Sequence, residues 1–193
     1  LQNRKDLNSD IELLISQVER CTQILKKLSL DPNEEDDFID EDIDLKGYIS
    51  QIVASFQETS NKNFILNFDQ DSNPKKISKS IEIIYGLRNF IGNANKFAKE
   101  KIFITLKSNN DFSEIVIEDD GKGYPGEILS KIGEPYLRPF KKKSENQDGL
   151  GLGIFIGKTL LEKNFASLNC QNSKTRTGAE VSIKWNSQDL SKI

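Results

Sequence analysis

The chain of 193 residues contains no histidine. That excludes a His-based catalytic triad, and it removes one of the usual zinc ligands. Cysteine is nearly as scarce: Cys21 and Cys170 are the only two, far apart and in no metal-ligand spacing, so a zinc site is excluded as well. Aromatics make up 8% of the residues and no basic stripe is interleaved with them, so the stacking platform needed for single-stranded nucleic acid is missing. No apolar run approaches the roughly 20 residues of a membrane-spanning helix. Residues 1 to 10 are polar throughout, without the apolar centre of a signal peptide. The expectation is a soluble segment, with any membrane attachment lying outside these residues.

With 36% hydrophobic and 30% charged residues, the chain can form one well-cored domain of about 150 residues and an appendage. The net charge of -3 is unevenly spread. Asp31, Glu34, Glu35, Asp36, Asp37, Asp40, Glu41 and Asp42 form a run without Lys or Arg, which leaves the remainder mildly basic. Such a body suits a phosphate ligand, and a solvated surface gives the same balance.

Residues 9 to 30 read as an amphipathic helix capped by Ser9 or Asp10, with Ile11, Leu14, Val18, Cys21, Leu25 and Leu28 forming a heptad-like seam. A seam of this kind is buried against another helix, in this chain or a second copy. Asp31-Pro32-Asn33 ends the helix, and the acidic run to Asp42 reads as a linker. From residue 43 the pattern is mixed. Helices are expected over 44–60, 77–99, 126–132 and 151–163. Strands are expected over 63–68, 102–107, 112–118, 167–172 and 179–185. Helices with a mostly antiparallel sheet imply a two-layer α+β sandwich.

Three stretches carry chemistry. Asn89, Asn93 and Lys96 fall at i, i+4 and i+7, so they project from one helix face, which is able to hold hydrated Mg²⁺ and a polyphosphate. Phe97 follows and is placed to pack on a base. Asp119 ends an apolar strand before Gly121 and Gly123, which puts its carboxylate at the mouth of the sheet. A carboxylate only accepts hydrogen bonds, so it selects an adenine amine over a guanine carbonyl. Gly149, Leu150, Gly151, Leu152 and Gly153 open an apolar helix whose unpaired amides and dipole attract anions. Arg138, Lys141, Lys142 and Lys143 lie in the preceding loop as candidate lid contacts. Taken singly, each stretch is equally a solvated helix face, a plain turn or a loop. It is their order and spacing that argue for one nucleotide site.

From about Ile43 to Trp185 the sequence resembles the catalytic ATP-binding domain of sensor histidine kinases, within the gyrase, heat-shock chaperone, histidine kinase and mismatch-repair ATPase superfamily (the Bergerat-type fold). Asn89-x-x-x-Asn93-Ala94-x-Lys96-Phe97 is similar to the N box, Asp119-x-Gly121-x-Gly123 to the first glycine box and Gly149-x-Gly151-x-Gly153 to the second. Gly178-Ala179 is similar to the final glycine turn. Gly133-Glu134-Pro135-Tyr136, the 149–156 segment and the ending Gly178 to Trp185 resemble the RegB/PrrB group of redox-responsive kinases, and residues 10 to 21 resemble that group's second dimerisation helix. The resemblance implies residues 1–30 as part of a dimerisation domain, 31–42 as a linker and 43–193 as the catalytic domain. It further implies Mg²⁺ on Asn93, phosphates on Asn89, Lys96 and the glycine amides, and adenine on Phe97 and Asp119. Arg138 would be a lid contact, and Cys21 either a redox-sensitive position in a dimer or a small buried apolar residue of the seam. The implied partners are a second copy of the chain and a response-regulator receiver domain, with a cytoplasmic location.

Hydrolytic members of the superfamily carry Glu four residues before the metal Asn, where it serves as base for water. Asn89 stands there, and a neutral amide cannot take the proton, so phosphoryl transfer is favoured over hydrolysis. The phosphoacceptor His of the group is absent, and Leu137-Arg138-Pro139-Phe140 replaces the Thr-rich lid segment. The rival readings are an ATPase or anti-sigma-type Ser kinase of the same fold, and a nucleotide-binding scaffold without catalysis.

Overall fold

The computed structural model describes residues 44–69, 80–129, 131–135 and 152–190. The chain divides into two units, 1–38 and 39–193, and every described residue belongs to the second. The expected helix over 9–30, the acidic linker and Cys21 lie outside the described residues, as do Arg138, the three loop lysines, Gly149, Leu150 and Gly151.

Alternating apolar positions build a five-stranded sheet in the order β1-β2-β3-β5-β4. The strands are β1 (Asn63–Phe68), β2 (Lys101–Ser108), β3 (Phe112–Asp119), β4 (Ser167–Asn172) and β5 (Ala179–Asn186). β1 and β2 pair in parallel, and the other pairs are antiparallel. The register aligns Leu66, Ile104, Ile117, Val181 and Cys170 in one row, and Phe68, Leu106, Ile115, Ile183 and Leu168 in the next. These rows form the inner face. The outer face is polar, with Ser182 donating to Glu114 at 2.6 Å, Gln171 donating to Glu180 at 2.6 Å, and the Lys184 ammonium 4.0 Å from the Phe112 ring centre.

Helices α1 (Leu45–Gln57), α2 (Ile81–Phe97) and α4 (Gly153–Lys163) supply the second layer, while α3 (Gly126–Leu129) and α5 (Ser187–Leu190) are single turns. The expected α+β sandwich is therefore what the chain forms, with α5 as an addition and one parallel strand pair. Asp44 caps α1 by accepting from the Gly47 amide at 2.8 Å, and Ser80 caps α2 by accepting from Ile83. The Tyr48 hydroxyl accepts from the Ser80 amide at 3.1 Å, which ties the first helix to the start of the second. None of the described helices is long and apolar enough to cross a membrane.

The contact that positions the site is between α2 and α4. A Cβ at Gly157 would lie 2.9 Å from a Phe90 ring carbon and 3.0 Å from the Asn89 Cβ, so only glycine lets the two helices approach this closely. Their approach brings the start of α4 to Asn89. Behind them Trp185 is fully buried, and its indole N–H donates to the Asn164 carbonyl at 3.0 Å. Trp185→Phe is expected to cost about 2 kcal/mol by leaving a void and an unpaired carbonyl. Urea unfolding followed by circular dichroism would check this, since the chain has no second tryptophan.

Candidate functional site

Asp119 is the end point of the inner-face alternation Ile115, Ile117, Asp119. Parity thus turns its carboxylate toward the helices rather than toward solvent, and the residue is only 3% exposed. It is more enclosed than a carboxylate at the mouth of the sheet. Oδ1 accepts from the Gly121 amide at 2.8 Å and from the Ala179 amide at 3.3 Å. Burial raises its pKa, and these two amide bonds oppose that only in part. Both bonds fall on Oδ1, and the residue lines a small cleft together with Phe90, Asn93, Ala94, Tyr124, Ala179 and Val181, among others. A Cβ at Gly178 would overlap the Asp119 backbone and Oδ1, and one at Gly121 would overlap the Phe97 carbonyl. The glycines of both turns are what allow main chain to wrap around this acid.

The α2 residues separate into two groups. Asn93 faces the cleft with Asp119. Asn89, one turn earlier, donates from Nδ2 to the Tyr85 carbonyl at 2.8 Å, while its Oδ1 lies against Gly153 at the start of α4. Lys96 and Phe97 are both exposed, with the Lys96 ammonium 5.8 Å from the Phe97 ring centre. Phe97 is 55% exposed and is not among the residues lining the cleft. The aromatic residues that line the cleft are Phe90 and Tyr124.

At the other end, Leu152 caps α4 without any side-chain hydrogen bond, and Gly153 begins the helix. Among the described residues no side-chain cap takes up the first-turn amides, and helix N-terminal amides of this kind attract anions. Sequence reasoning gave no role to Tyr124 or Asn172. The Tyr124 amide donates to Asn172 Oδ1 at 2.6 Å, and Asn172 Nδ2 donates to the Tyr124 carbonyl at 3.0 Å. Buried beside the Cys170 thiol, the Tyr124 hydroxyl has no hydrogen-bond partner of ordinary geometry among the described residues, and its pKa is raised by that burial. Burial likewise pushes the Cys170 thiol up to about 11. The signal for Asn172 was its place on the inward alternation Leu168, Cys170, Asn172, where a polar residue breaks an apolar row.

The donor set is suited to a nucleotide with its metal. Among the described residues there is no group of three or more His, Cys, Asp or Glu side chains that would hold an ion unaided. The amide oxygen of Asn93 matches Mg²⁺, which takes few protein oxygens together with phosphate oxygens and water.

The structure superposes on the mycobacterial sensor histidine kinase MprB with a TM-score of 0.63 at 21% identity, covering 76% of this chain and 97% of that one. It also matches full-length ShkA, solved in complex with AMPPNP, with a TM-score of 0.63 at 18% identity, over 92% of this chain and 38% of that one. Fold and cleft thus define the class: an α+β sandwich of the kind found in histidine kinase catalytic domains. The chain belongs to the histidine kinase-, DNA gyrase B-, and HSP90-like ATPase family, whose model matches residues 79–189. It is 33% identical to the sensor histidine kinase RegB of Cereibacter sphaeroides over 96% of its own length, in agreement with the group resemblance drawn from its glycine segments. The chain spans 44% of the length of that relative.

Proposed function

We propose that this chain is the ATP-binding catalytic portion of a sensor histidine kinase, and that it passes the γ-phosphate of Mg-ATP to a histidine on another segment or chain. The observation that carries the reading is the buried Asp119 carboxylate, with one oxygen held by two amides in a residue that lines the cleft beside Asn93. Its other oxygen would accept from the adenine amino group, and a carboxylate has nothing to offer a guanine carbonyl. Tyr124, Ala179 and Val181 flank the base. Asn93 holds the metal through its amide oxygen, and a magnesium ion there would offset phosphate charge. The open amides of α4 receive the phosphates, with Asn89, Lys96, Gly149, Leu150, Gly151 and Arg138 as further contacts. Asn89 has no basic oxygen to activate water, which supports transfer over hydrolysis. Residues 1–30 would supply the second dimerisation helix and 31–42 the linker. A receiver-domain Asp would take the phosphoryl group next, on the cytoplasmic side of the membrane.

Calorimetry tests the binding step. Asn93→Ala is expected to weaken Mg-ATP binding by about tenfold or more, and to have little effect on titrations with EDTA, because the lost group is a metal ligand. For the transfer step, the chain is mixed with a polypeptide carrying the first dimerisation helix and radiolabelled ATP. Acid-labile label on that helix is the expected result; tight binding without label would leave a nucleotide-binding scaffold instead.

A further inference from the structure

The end of β4, the loop after it and the start of β5 bond to Glu118, Asp119, Asp120 and Tyr124, in and beside the first glycine turn. Ser173 and Thr175 hydroxyls donate to Glu118 Oε1 at 2.7 and 3.2 Å, and Arg176 Nε lies 3.4 Å from Glu118 Oε2. The Arg176 guanidinium also stacks 3.7 Å from the Phe103 ring centre. Thr177 donates to the Asp120 carbonyl at 3.3 Å, and Ala179 donates to Asp119. The contact that reaches furthest into the turn is Asn172, whose side chain pairs with both main-chain groups of Tyr124. Gly123, between the acid and that tyrosine, has a φ of +71°, and a Cβ there would lie 2.6 Å from Asn172 Oδ1. The pairing therefore requires glycine at 123 on both conformational and steric grounds.

We infer that Asn172 is a positioning residue for the nucleotide: by clamping the main chain of Tyr124 in both directions, it fixes the tyrosine as a wall of the cleft that Asn93 and Asp119 also line. The inference rests on the nucleotide reading above and adds a residue that touches no ligand. A turn ordered before binding does not have to be ordered at the expense of affinity. Asn172 acts at the base end of the cleft, far in sequence and role from the phosphate-binding amides. Its loss must then weaken ATP and ADP by the same factor, whereas loss of a phosphate contact would change their ratio.

The test is calorimetry of Mg-ATP and Mg-ADP with the 193-residue chain, its Asn172→Ala variant and its Asn172→Asp variant, alongside hydrogen exchange of the Tyr124 amide. Asn172→Ala is expected to raise both dissociation constants about five- to tenfold, with unchanged stoichiometry and faster exchange at Tyr124, since two neutral hydrogen bonds are removed at an exposed position. Asn172→Asp keeps the acceptor for the Tyr124 amide and is expected to recover part of the loss. Wild-type affinity in Asn172→Ala overturns the inference, and so does a fall in stoichiometry at unchanged affinity, which would mark a residue needed only for folding. If the wild-type chain itself binds neither nucleotide, the nucleotide reading fails first and the role of Asn172 toward it falls with it.

Discussion

Asp119→Asn is expected to leave the chain folded and to weaken adenine-nucleotide binding by about 100-fold or more. The amide oxygen of Asn still accepts from Gly121 and Ala179, so the turn keeps its internal bonds. What changes is the cleft side, where a carboxylate acceptor becomes an NH₂ donor facing the donor amine of adenine. Stability should move the other way. Burial holds the Asp119 pKa above the ordinary carboxylate range, so ionising it opposes folding. That contribution favours the folded state fully below the ordinary carboxylate pKa, and it is lost as pH rises through the raised folded value. The neutral Asn variant avoids this loss, and its urea midpoint at neutral pH should equal or exceed that of the wild type. The wild type should also lose nucleotide affinity on acidification earlier than an exposed aspartate would. Calorimetry across the acidic range, paired with urea unfolding of both proteins, reads both effects; an Asn variant that binds normally would remove Asp119 from the base pocket.

Gly178→Ala is expected to cost roughly 2–4 kcal/mol of folding stability, a large effect for one methyl group. The added Cβ would meet the backbone carbon and carbonyl of Asp119, and neither can rotate away. Relief requires β5 to move off β3 at the point where the Ala179 amide holds the buried carboxylate. Nucleotide affinity should fall with stability. Gly126→Ala provides the control, since nothing lies within 4 Å of a Cβ there. A Gly178→Ala chain as stable as that control would mean that the two strands part at no cost, and that the acid is held less firmly than its hydrogen bonds suggest.

Much of this architecture is legible in the residues themselves. β1 and β4 run over the expected residues, because Phe64, Leu66 and Phe68 alternate cleanly and Asn172 stops the second run. The three main helices are found within three residues of the ends that pattern gives where those ends are described, and Asp44 and Ser80 cap the first two. Asp119 and Asn93 are recognisable from spacing, and they share a cleft because strand parity and helix pitch both point inward. Strand order is not legible: nothing local says that β5 slips between β3 and β4. Tyr124 and Asn172 were hidden for the same reason. Their pairing spans 48 residues and depends on that insertion, whereas Phe97, the last residue of the N-box stretch, stays largely exposed.

The insertion of β5 also dictates when the site can exist. Its strand is made after both of its neighbours, yet it supplies the ladder for each and the amide that greets Asp119. A nascent chain that has not yet released residues 179–186 holds two unsatisfied strand edges and a carboxylate without its second donor. Pairings of such long sequence separation close slowly, on a scale of roughly milliseconds to seconds. During synthesis this domain would therefore pass through an interval in which its helices have formed but its edges can recruit another strand, the state in which holding chaperones would have most to offer it.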